Sequence, residues 1–390
     1  MIDYGRVLNK TVTEMKPSGI RKFFDIAATM DDVISLGVGE PDFQTPWQIR
    51  KAGIESLERG KTKYTSNWGL IELRKEICTY LKRKFNLEYN PQNEVLVTVG
   101  GSEAIDAAIR ALVEPGDEVI IPQPSYVCYE PITALAGGKP VIVNTKSEND
   151  FKLTAEELKS AITSKTKVLI LPYPSNPTGA IMEREDLLAI SEVLKGTDII
   201  VLSDEIYAEL TFGGKKHVSP ASLKELYERT ITVNGFSKAF SMTGWRLGYA
   251  CGPKPIIDQI TKIHQYAIMS SPTTSQYAAI EALKNCDEDV QYMLKEYDMR
   301  RRLMVSGFNK IGLTCREPKG AFYSFPSIKS TGLTSEEFCE KLLYGKKVAV
   351  VPGTAFGESG EGFIRASYCY SVEHIKEAIN RIGEFLKEIK

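Results

Sequence analysis

The sequence has neither paired cysteines nor clustered histidines. Its seven cysteines include no Cys-x-x-Cys pair, and its three histidines lie far apart without a His-Glu-x-x-His spacing. An odd number of scattered cysteines argues against a disulfide framework and predicts reduced thiols, as in the cytoplasm. Because zinc sites usually need clustered Cys and His ligands, no metal site is predicted.

The sequence also lacks an excess of charge of either sign and any long apolar run. Lys and Arg number 49 and Asp and Glu number 50, which gives a net charge of −1. Proteins that bind nucleic acids or anionic membranes usually carry a basic excess, so neither partner is expected. No apolar stretch approaches the roughly 20 residues of a membrane helix, and the charged N-terminal segment does not resemble a signal peptide. We therefore expect a cytoplasmic protein.

From about residue 93 the chain alternates between short β-rich segments and helical patterns. The β-rich segments are EVLVTV, DEVIIP, PVIVNT, KVLILPY, DIIVLSD and RTITVNG. Several are apolar almost throughout, which is typical of strands buried on both faces. A helical apolar stripe between two of them consists of Ile105, Ala108, Ile109, Leu112 and Val113. This alternation predicts an α/β fold with a largely parallel sheet and helices on both faces.

The two ends of the chain have a different pattern. AFYSFP, KVAVVPG and GFIRASY predict strands of a smaller α+β unit, and the C-terminal segment predicts an amphipathic helix. Residues 1–48 lack the alternation and contain the Gly/Pro-rich turn LGVGEPDF. We therefore place a large domain at residues 49–288 and a small domain at residues 1–48 and 289–390.

Glycine and polar residues follow several predicted strands at their carboxyl ends, where open α/β sheets bind ligands. Gly100, Gly101 and Ser102 follow the first strand. Glycines at a strand-to-helix turn let free N–H groups approach a phosphate, but they also suit a plain turn. Asn176 lies between two prolines after a later strand, and it could form an Asx-turn or bind a ligand.

Three charged residues complete this set. Asp204 ends a predicted buried strand, where a carboxylate must be paired; it would either cap a helix or face a cation. Lys238 follows the last strand among small and apolar residues. Burial would lower its pKa and make it a nucleophilic amine, whereas an exposed loop lysine would have no such role. Arg246 could hold a phosphate in a bidentate fork or form a structural ion pair.

Together these residues have one coherent chemical use. A phosphorylated aldehyde cofactor needs a lysine for its imine and an anion cradle for its phosphate. It also needs an acid that keeps its pyridine nitrogen protonated. The predicted strand ends supply all three groups.

The whole chain resembles the class I and II aminotransferases, pyridoxal 5′-phosphate enzymes of fold type I. The resemblance lies in SGIRKFFDIA, ISLGVGEPDF, PSNPTGA, NGFSKAFSMTGWRLGY and GEGFIRASY, and the last three are highly specific together. It is nearest to the aromatic and aspartate aminotransferases of bacteria and archaea, including the N-acetyl-diaminopimelate type. It implies a mixed, mostly parallel seven-stranded sheet between layers of helices, with a smaller α+β domain built from both chain ends.

The resemblance assigns roles toward the cofactor. Lys238 forms the imine and then moves the substrate proton, and Asp204 pairs with the pyridinium nitrogen. Tyr207 and Asn176 bind the phenolic oxygen, and Tyr126 stacks on the ring. The positions that match the phosphate cradle are Gly101, Ser102, Glu103, Ser237 and Arg246.

The chain departs from the family pattern at two cofactor positions. Many relatives have Trp at the position of Tyr126. Many also have Ser or Thr three residues before the lysine, where this chain has Gly235. Glycine at position 235 implies that the phosphate loses one hydroxyl contact, for which the Ser237 hydroxyl would compensate.

The resemblance also assigns substrate contacts. Arg365 matches the arginine that clamps the substrate α-carboxylate, although an exposed strand arginine is an alternative. Gly39 matches a backbone contact to the same carboxylate, and Asn176 is expected beside it. Tyr64 matches a tyrosine that reaches the phosphate of the partner subunit, which implies a homodimer with shared active sites.

The implied reaction is ping-pong transfer of an amino group from an aromatic or aspartate-like L-amino acid to a 2-oxo acid such as 2-oxoglutarate. A C–S β-lyase or an aminocyclopropane-forming enzyme would use the same residues. A ligand-sensing domain fused to a DNA-binding module is disfavoured, because few residues precede ISLGVGEPDF.

The choice of substrate side chain would depend on one of two features. A second cation would bind the distal carboxylate of a dicarboxylate substrate, although the candidate cations could instead be solvated surface residues. An apolar pocket would bind an aromatic side chain. The candidates are Lys16, Arg21 and Lys22 for the cation and Ile20, Phe23, Phe24 and Tyr368 for the pocket.

Overall fold

The computed structural model describes residues 2–17, 19 and 30–389. Within these residues the chain forms a large α/β part and a smaller α+β part. The described elements that precede the main sheet are α1 (Tyr4–Val7), α2 (Lys10–Glu14), β1 (Ile34–Ser35), α3 (Trp47–Glu58) and α4 (Ile71–Phe85).

The main sheet contains seven strands among the described residues. They are β2 (Val95–Thr98), β3 (Glu118–Gln123), β4 (Lys139–Asn144), β5 (Thr166–Leu171), β6 (Ile200–Asp204), β7 (Thr230–Gly235) and β8 (Gly248–Cys251). Their spatial order is β2-β8-β7-β6-β5-β3-β4. The neighbours from β7 to β4 pair in parallel, and β8 runs antiparallel to both β7 and β2.

Burial explains the apolar composition of these strands. Every residue of β2, β3, β7 and β8 is buried, whereas the edge strand β4 is largely half-exposed or exposed. A strand covered on both faces needs apolar side chains at successive positions rather than at alternate ones. The predicted mixed, mostly parallel seven-stranded sheet is confirmed.

Helices cover the sheet and link its strands. They are α5 (Gly100–Leu112), α6 (Tyr129–Leu135), α7 (Ala155–Ala161), α8 (Arg184–Leu194), α9 (Lys224–Tyr227), α10 (Lys254–Ala267) and α11 (Thr273–Asn285). The apolar stripe predicted for this helix is the buried face of α5, since Ile105, Ala108 and Ile109 are almost completely buried. A fully buried side chain of the size of Ile contributes roughly 1.5–3 kcal/mol, which fixes α5 against the sheet.

The smaller part combines residues from both ends of the chain. Its further elements are α12 (Asp287–Lys310), β9 (Tyr323–Ser324), α13 (Ser335–Lys346), β10 (Val348–Ala349), β11 (Val351–Pro352), β12 (Ile364–Ser367) and α14 (Val372–Glu388). β1 pairs in parallel with β10, and β11, β12 and β9 form an antiparallel sheet. Leu36 packs in the same core as Phe322 and Phe338, so the N-terminal segment joins the C-terminal one.

Helix α12 connects the two parts. Near its start, Val290 packs with the large-part residues Leu73 and Tyr249. One turn later, Met293 and then Tyr297 pack in the core of the smaller part. The division at residues 288 and 289 stays a prediction, and α12 is the element that crosses it.

The parallel arrangement brings distant residues together. The carboxyl ends of β6 and β7 lie side by side, because Asp204 pairs with Val233 in the register of these strands. Gly235 in turn pairs with Gly248, and the turn at Gly100 packs on Gly248. The predicted ligand residues therefore meet at one edge of the sheet.

Candidate active site

Lys238 lies just beyond β7 with its side chain directed at the Gly/Pro-rich turn of the smaller part. Its Nζ donates to the Gly39 carbonyl at 2.8 Å and lies 5.7 Å from the centre of the Phe322 ring. Burial lowers the pKa of Lys238 to about 8, since a cation is poorly solvated beside apolar groups. A sizeable fraction of this lysine is therefore the neutral amine near pH 8.

Asp204 is the last residue of β6, and its carboxylate is held on both oxygens. The Tyr129 hydroxyl donates to Oδ2 at 2.7 Å and the Ile206 N–H donates to Oδ1 at 3.2 Å. Burial raises the pKa of Asp204, and these two donors oppose the rise. The helix-cap alternative for Asp204 is wrong, because β6 is followed by a turn and no helix begins at these described residues.

Tyr207 follows Asp204 by three residues and is buried. Its hydroxyl oxygen lies 3.0 Å from the hydroxyl oxygen of Tyr323, a residue of β9. Its ring meets the Phe322 ring edge-on at 5.2 Å. The large and smaller parts thus contact each other through these aromatic residues beside the site.

Arg365 in β12 is buried, not an exposed strand arginine. Its guanidinium carbon lies 4.4 Å from the centre of the Tyr323 ring and 4.8 Å from that of Phe356. Nη1 donates to Asn176 Oδ1 at 2.9 Å, and Nη2 donates to the Gly37 carbonyl. Nε is buried without a hydrogen-bond partner among the described residues. Burial lowers the pKa of Arg365, so this cation is poised to gain from an anionic ligand.

The turn that follows β2 lies against Arg246. Gly100 has φ of +75°, and a Cβ at this position would lie 2.7 Å from Arg246 Nη2. Arg246 itself has φ of +51°, and its Nη1 donates to the Thr243 carbonyl at 3.1 Å. Glycine at position 100 therefore lets the Arg246 guanidinium pack directly against the start of α5, and both groups bind anions.

Ser102 and Glu103, which follow the turn at Gly100, differ in how exposed their side chains are. Ser102 is exposed, and burial raises the pKa of the Tyr126 hydroxyl, a rise that the nearby Ser102 opposes. The Glu103 carboxylate accepts from the Val99 N–H and pairs with His264. The Glu103 side chain is thus engaged within the protein, and its N–H belongs to the first hydrogen-bonded turn of α5, so neither group is left for a ligand.

The structure accounts for glycine at position 235. A Cβ there would lie 3.1 Å from the Gly248 Cα, from the Leu247 carbonyl oxygen and from Ile206 Cδ1. Two of these contacts are with backbone, which cannot easily move aside. Ser237 is buried directly before Lys238, so its hydroxyl is the one nearest in sequence to the lysine.

The residue predicted to reach a partner subunit and those predicted to select the substrate lie outside the group described so far. Tyr64 is 80% exposed, and its contact with a partner subunit stays a prediction. Lys16 is also exposed, and Ile20, Arg21, Lys22, Phe23 and Phe24 lie outside the described residues. Tyr368 is completely buried beside Phe212, and its hydroxyl donates to the Ala321 carbonyl. The assignment of Tyr368 to a substrate pocket is therefore wrong.

Comparison with known proteins decides the family. The family described as aminotransferase class I and II matches residues 31–382. The chain belongs to the class I and II aminotransferases. These enzymes transfer amino groups between amino acids and 2-oxo acids and use pyridoxal phosphate as cofactor.

Relatives and solved structures match nearly the whole chain. An aspartate aminotransferase of Pyrococcus abyssi is 49% identical, with 96% of this chain and 97% of the relative covered. An aromatic-amino-acid aminotransferase of Thermococcus litoralis is 42% identical, with 98% and 99% covered. The crystal structure of an aromatic aminotransferase from Pyrococcus horikoshii matches with a TM-score of 0.90 and 45% identity, covering 95% of this chain and 99% of that one.

The residues of this aminotransferase fit pyridoxal phosphate. The guanidinium of Arg246, packed against the helix start at Gly100, suits a phosphate, and the buried Asp204 suits a protonated ring nitrogen. The orphaned Nε of Arg365 suits a carboxylate. No group of three or more His, Cys, Asp or Glu in the described part of the chain could hold a metal ion.

Sequence reasoning missed two residues of this site. Tyr129 lies three residues after Tyr126, and Tyr323 lies within the apolar strand segment AFYSFP. In sequence, each is indistinguishable from an ordinary core tyrosine. Only the fold reveals that their hydroxyls meet Asp204 and Tyr207.

Proposed function

We propose that this aminotransferase moves the amino group of aromatic or aspartate-like L-amino acids to 2-oxoglutarate by a ping-pong mechanism. The observation that carries the proposal is the pairing of Arg365 with Asn176, near a lysine whose pKa burial lowers to about 8. A carboxylate-binding cation and a neutral amine are what the amino-acid half-reaction requires. The names of the Pyrococcus and Thermococcus relatives support the substrate class.

Pyridoxal phosphate, when bound, supplies an aldehyde for the amino group and a ring that accepts the electrons of the substrate Cα–H bond. The chain would hold it at four points. Asp204 keeps the ring nitrogen protonated, and Tyr207 and Asn176 bind the phenolic oxygen. Tyr126 packs on the ring. The phosphate would be bound by the N–H groups of Gly101 and Ser102 and by the side chains of Ser237 and Arg246.

Lys238 would bind the cofactor and then act as the base. With a substrate in place, its Nζ would take up the proton of the substrate Cα and would later release it on the cofactor side of the site. A pKa of about 8 suits this role, because the amine must be neutral to accept a proton and cationic to give it back. The Gly39 carbonyl, at 2.8 Å, keeps Nζ near the substrate.

Arg365 would orient the substrate through its α-carboxylate. Tyr323 and Phe356 sandwich the guanidinium, which prevents it from changing rotamer. The backbone at Gly39 approaches the same region, since a Cβ there would collide with the Tyr323 hydroxyl. A fixed cation holds Cα over the lysine and so contributes by orientation.

We also propose that the enzyme is a cytoplasmic homodimer. Tyr64 is exposed and would bind the cofactor phosphate of the partner subunit. A cavity of about 550 Å³ borders Arg246 and is lined also by Glu40 and Trp245, which gives a partner room to approach the site. The seven cysteines are free, in keeping with a reducing compartment. Within the described residues, no helix combines the length and apolarity that a bilayer-crossing segment needs.

The test is an absorbance spectrum of the purified protein, recorded beside Lys238→Ala before and after addition of single amino acids. A band at roughly 360–430 nm that moves to about 330 nm with tyrosine or aspartate is expected for the first half-reaction. Release of pyruvate and ammonia from cystathionine without an oxo acid would instead indicate the β-lyase. Absence of any band after addition of pyridoxal phosphate would refute the proposal.

A further inference from the structure

We propose that Tyr323 is a positioning residue for the transfer reaction, because its hydroxyl donates to Tyr207 and so directs the Tyr207 proton toward the cofactor. This inference rests on the proposed function, in which Tyr207 binds the phenolic oxygen. The two hydroxyl oxygens lie 3.0 Å apart, and either could be the donor. The direction of this hydrogen bond decides whether the Tyr207 proton is available to a ligand.

Both tyrosines keep their protons near neutral pH. Burial raises the pKa of Tyr207 well above its ordinary value, and it raises the pKa of Tyr323 to about 12. Two protons are therefore distributed over two adjacent oxygens. One proton lies between the oxygens, and the other is free to bond a third group.

Arg365 favours Tyr323 as the donor. Its guanidinium carbon lies 4.4 Å from the centre of the Tyr323 ring, in a buried site where charges act strongly. A nearby cation draws electron density from a phenol, and the more acidic of two hydroxyls is the better donor. The Tyr323 proton then lies between the oxygens, and the Tyr207 proton is left for the cofactor.

The Gly/Pro-rich turn holds the Tyr323 hydroxyl in place. A Cβ at Gly39 would lie 2.1 Å from the Tyr323 hydroxyl oxygen, so the backbone passes at a distance that only glycine allows. The same residue accepts the hydrogen bond from Lys238 at 2.8 Å. Tyr323 thus touches Tyr207, Arg365 and the turn that positions the lysine.

The variant Tyr323→Phe removes the hydroxyl and keeps the ring under Arg365. Its readout is the pH at which the absorbance of the bound cofactor changes in the holoenzyme. The absorbance changes when the bound cofactor loses a proton, and a hydrogen bond from Tyr207 to the phenolic oxygen stabilises the form that remains. Without Tyr323, Tyr207 becomes a weaker donor, so the cofactor should lose its proton at a higher pH. We expect an increase of about 0.5 to 1 pH unit, the size of one modest hydrogen bond.

Two further comparisons separate this role from a structural one. In a Tyr207→Phe background, Tyr323→Phe should cause no additional shift, because the effect passes through Tyr207. Tyr173→Phe is the matched control: it removes another buried hydroxyl, which bonds the backbone of Leu153 and Phe151, and should leave the titration unchanged. If Tyr323→Phe folds poorly, 3-fluorotyrosine at position 323 makes the hydroxyl more acidic and should lower the titration pH.

Two results would overturn the inference. One is an unchanged titration in both Tyr323 variants, and the other is an equal shift with and without Tyr207. A wild-type protein that shows no cofactor band would refute the proposed function instead. A cofactor band that titrates at the same pH in the wild type and in the Tyr323 variants would overturn this inference alone.

Discussion

The Tyr129 hydroxyl donates to Asp204 at 2.7 Å and links helix α6 to the carboxyl end of β6. Asp204 is buried, and burial raises its pKa. A donor to the ionised form counteracts that rise. Tyr129 therefore helps to keep the carboxylate charged, which is the state that a protonated ring nitrogen requires.

Tyr129→Phe should weaken cofactor binding. Loss of a hydrogen bond to a charged group costs about 1.5–3 kcal/mol, so we expect the dissociation constant for pyridoxal phosphate to rise by about 10- to 100-fold. An absorbance titration of the cofactor-free protein measures it. Tyr89→Phe is the control, since its buried hydroxyl contacts Thr232 and not the site. Equal affinity of Tyr129→Phe and wild type would contradict this role.

The reactivity of Lys238 should depend on pH in the cofactor-free protein. Burial lowers the pKa of Lys238 to about 8, so the lysine is mostly protonated at pH 6 and mostly neutral at pH 9. The rate of imine formation with added pyridoxal should therefore rise with pH and level off above about pH 9. Stopped-flow absorbance measures the rate.

Lys238→Ala provides the control for this experiment, because any remaining reaction then belongs to surface lysines. The ordinary pKa of a lysine is about 10.4, so a reaction that belongs to exposed lysines should still become faster at pH 9. A rate that rises in parallel for wild type and Lys238→Ala up to pH 10 would show that Lys238 is not activated by burial.

The sequence predicted those parts of the site that depend on parallel strands. Gly100, Asp204 and Lys238 each follow an apolar strand, and carboxyl ends of parallel strands share one edge of the sheet. Arg365 could be assigned only through the family resemblance. It lies on an antiparallel strand of the smaller part, and its contact with Asn176 depends on how the two parts pack.

Other details could not be predicted, because they depend on side-chain contacts between distant segments. The sequence around Tyr129 and Tyr323 does not distinguish them from core tyrosines. The engagement of Glu103 with His264 joins two helices, α5 and α10. The crowding around Gly235 involves Gly248 of the antiparallel strand β8. Periodicity identifies which residues are buried, and it does not identify their partners.

Gly235→Ser should reduce stability without improving cofactor affinity. The added Cβ would lie 3.1 Å from three atoms, two of them in backbone, and overpacking of this kind typically costs about 1–3 kcal/mol. Urea unfolding followed by circular dichroism measures the change. Gly345→Ser is the control, because no atom lies within 4 Å of a Cβ at that position. A stable variant with tighter cofactor binding would show that the missing hydroxyl of this position can be restored.

The proposed sharing of active sites between two subunits predicts complementation between two inactive variants. Tyr64 is 80% exposed and is proposed to act in the site of the partner subunit, whereas Lys238 acts in its own. Tyr64→Ala and Lys238→Ala should each lose most activity. A mixed dimer of the two contains one site with both defects and one site with both residues intact. Random mixing after mild unfolding and refolding should therefore restore roughly a quarter of the wild-type activity.

The mixing experiment also tests the alternative arrangement. If Tyr64 served the site of its own chain, every site of the mixed dimer would lack either the lysine or the tyrosine, and no activity would return. Refolding each variant alone is the control for changes caused by the procedure. A different affinity tag on each variant and two successive purifications isolate the mixed dimers, so a failure to mix is distinguished from a site confined to one chain. Recovery in dimers that contain both variants is the result expected of a site built from two subunits.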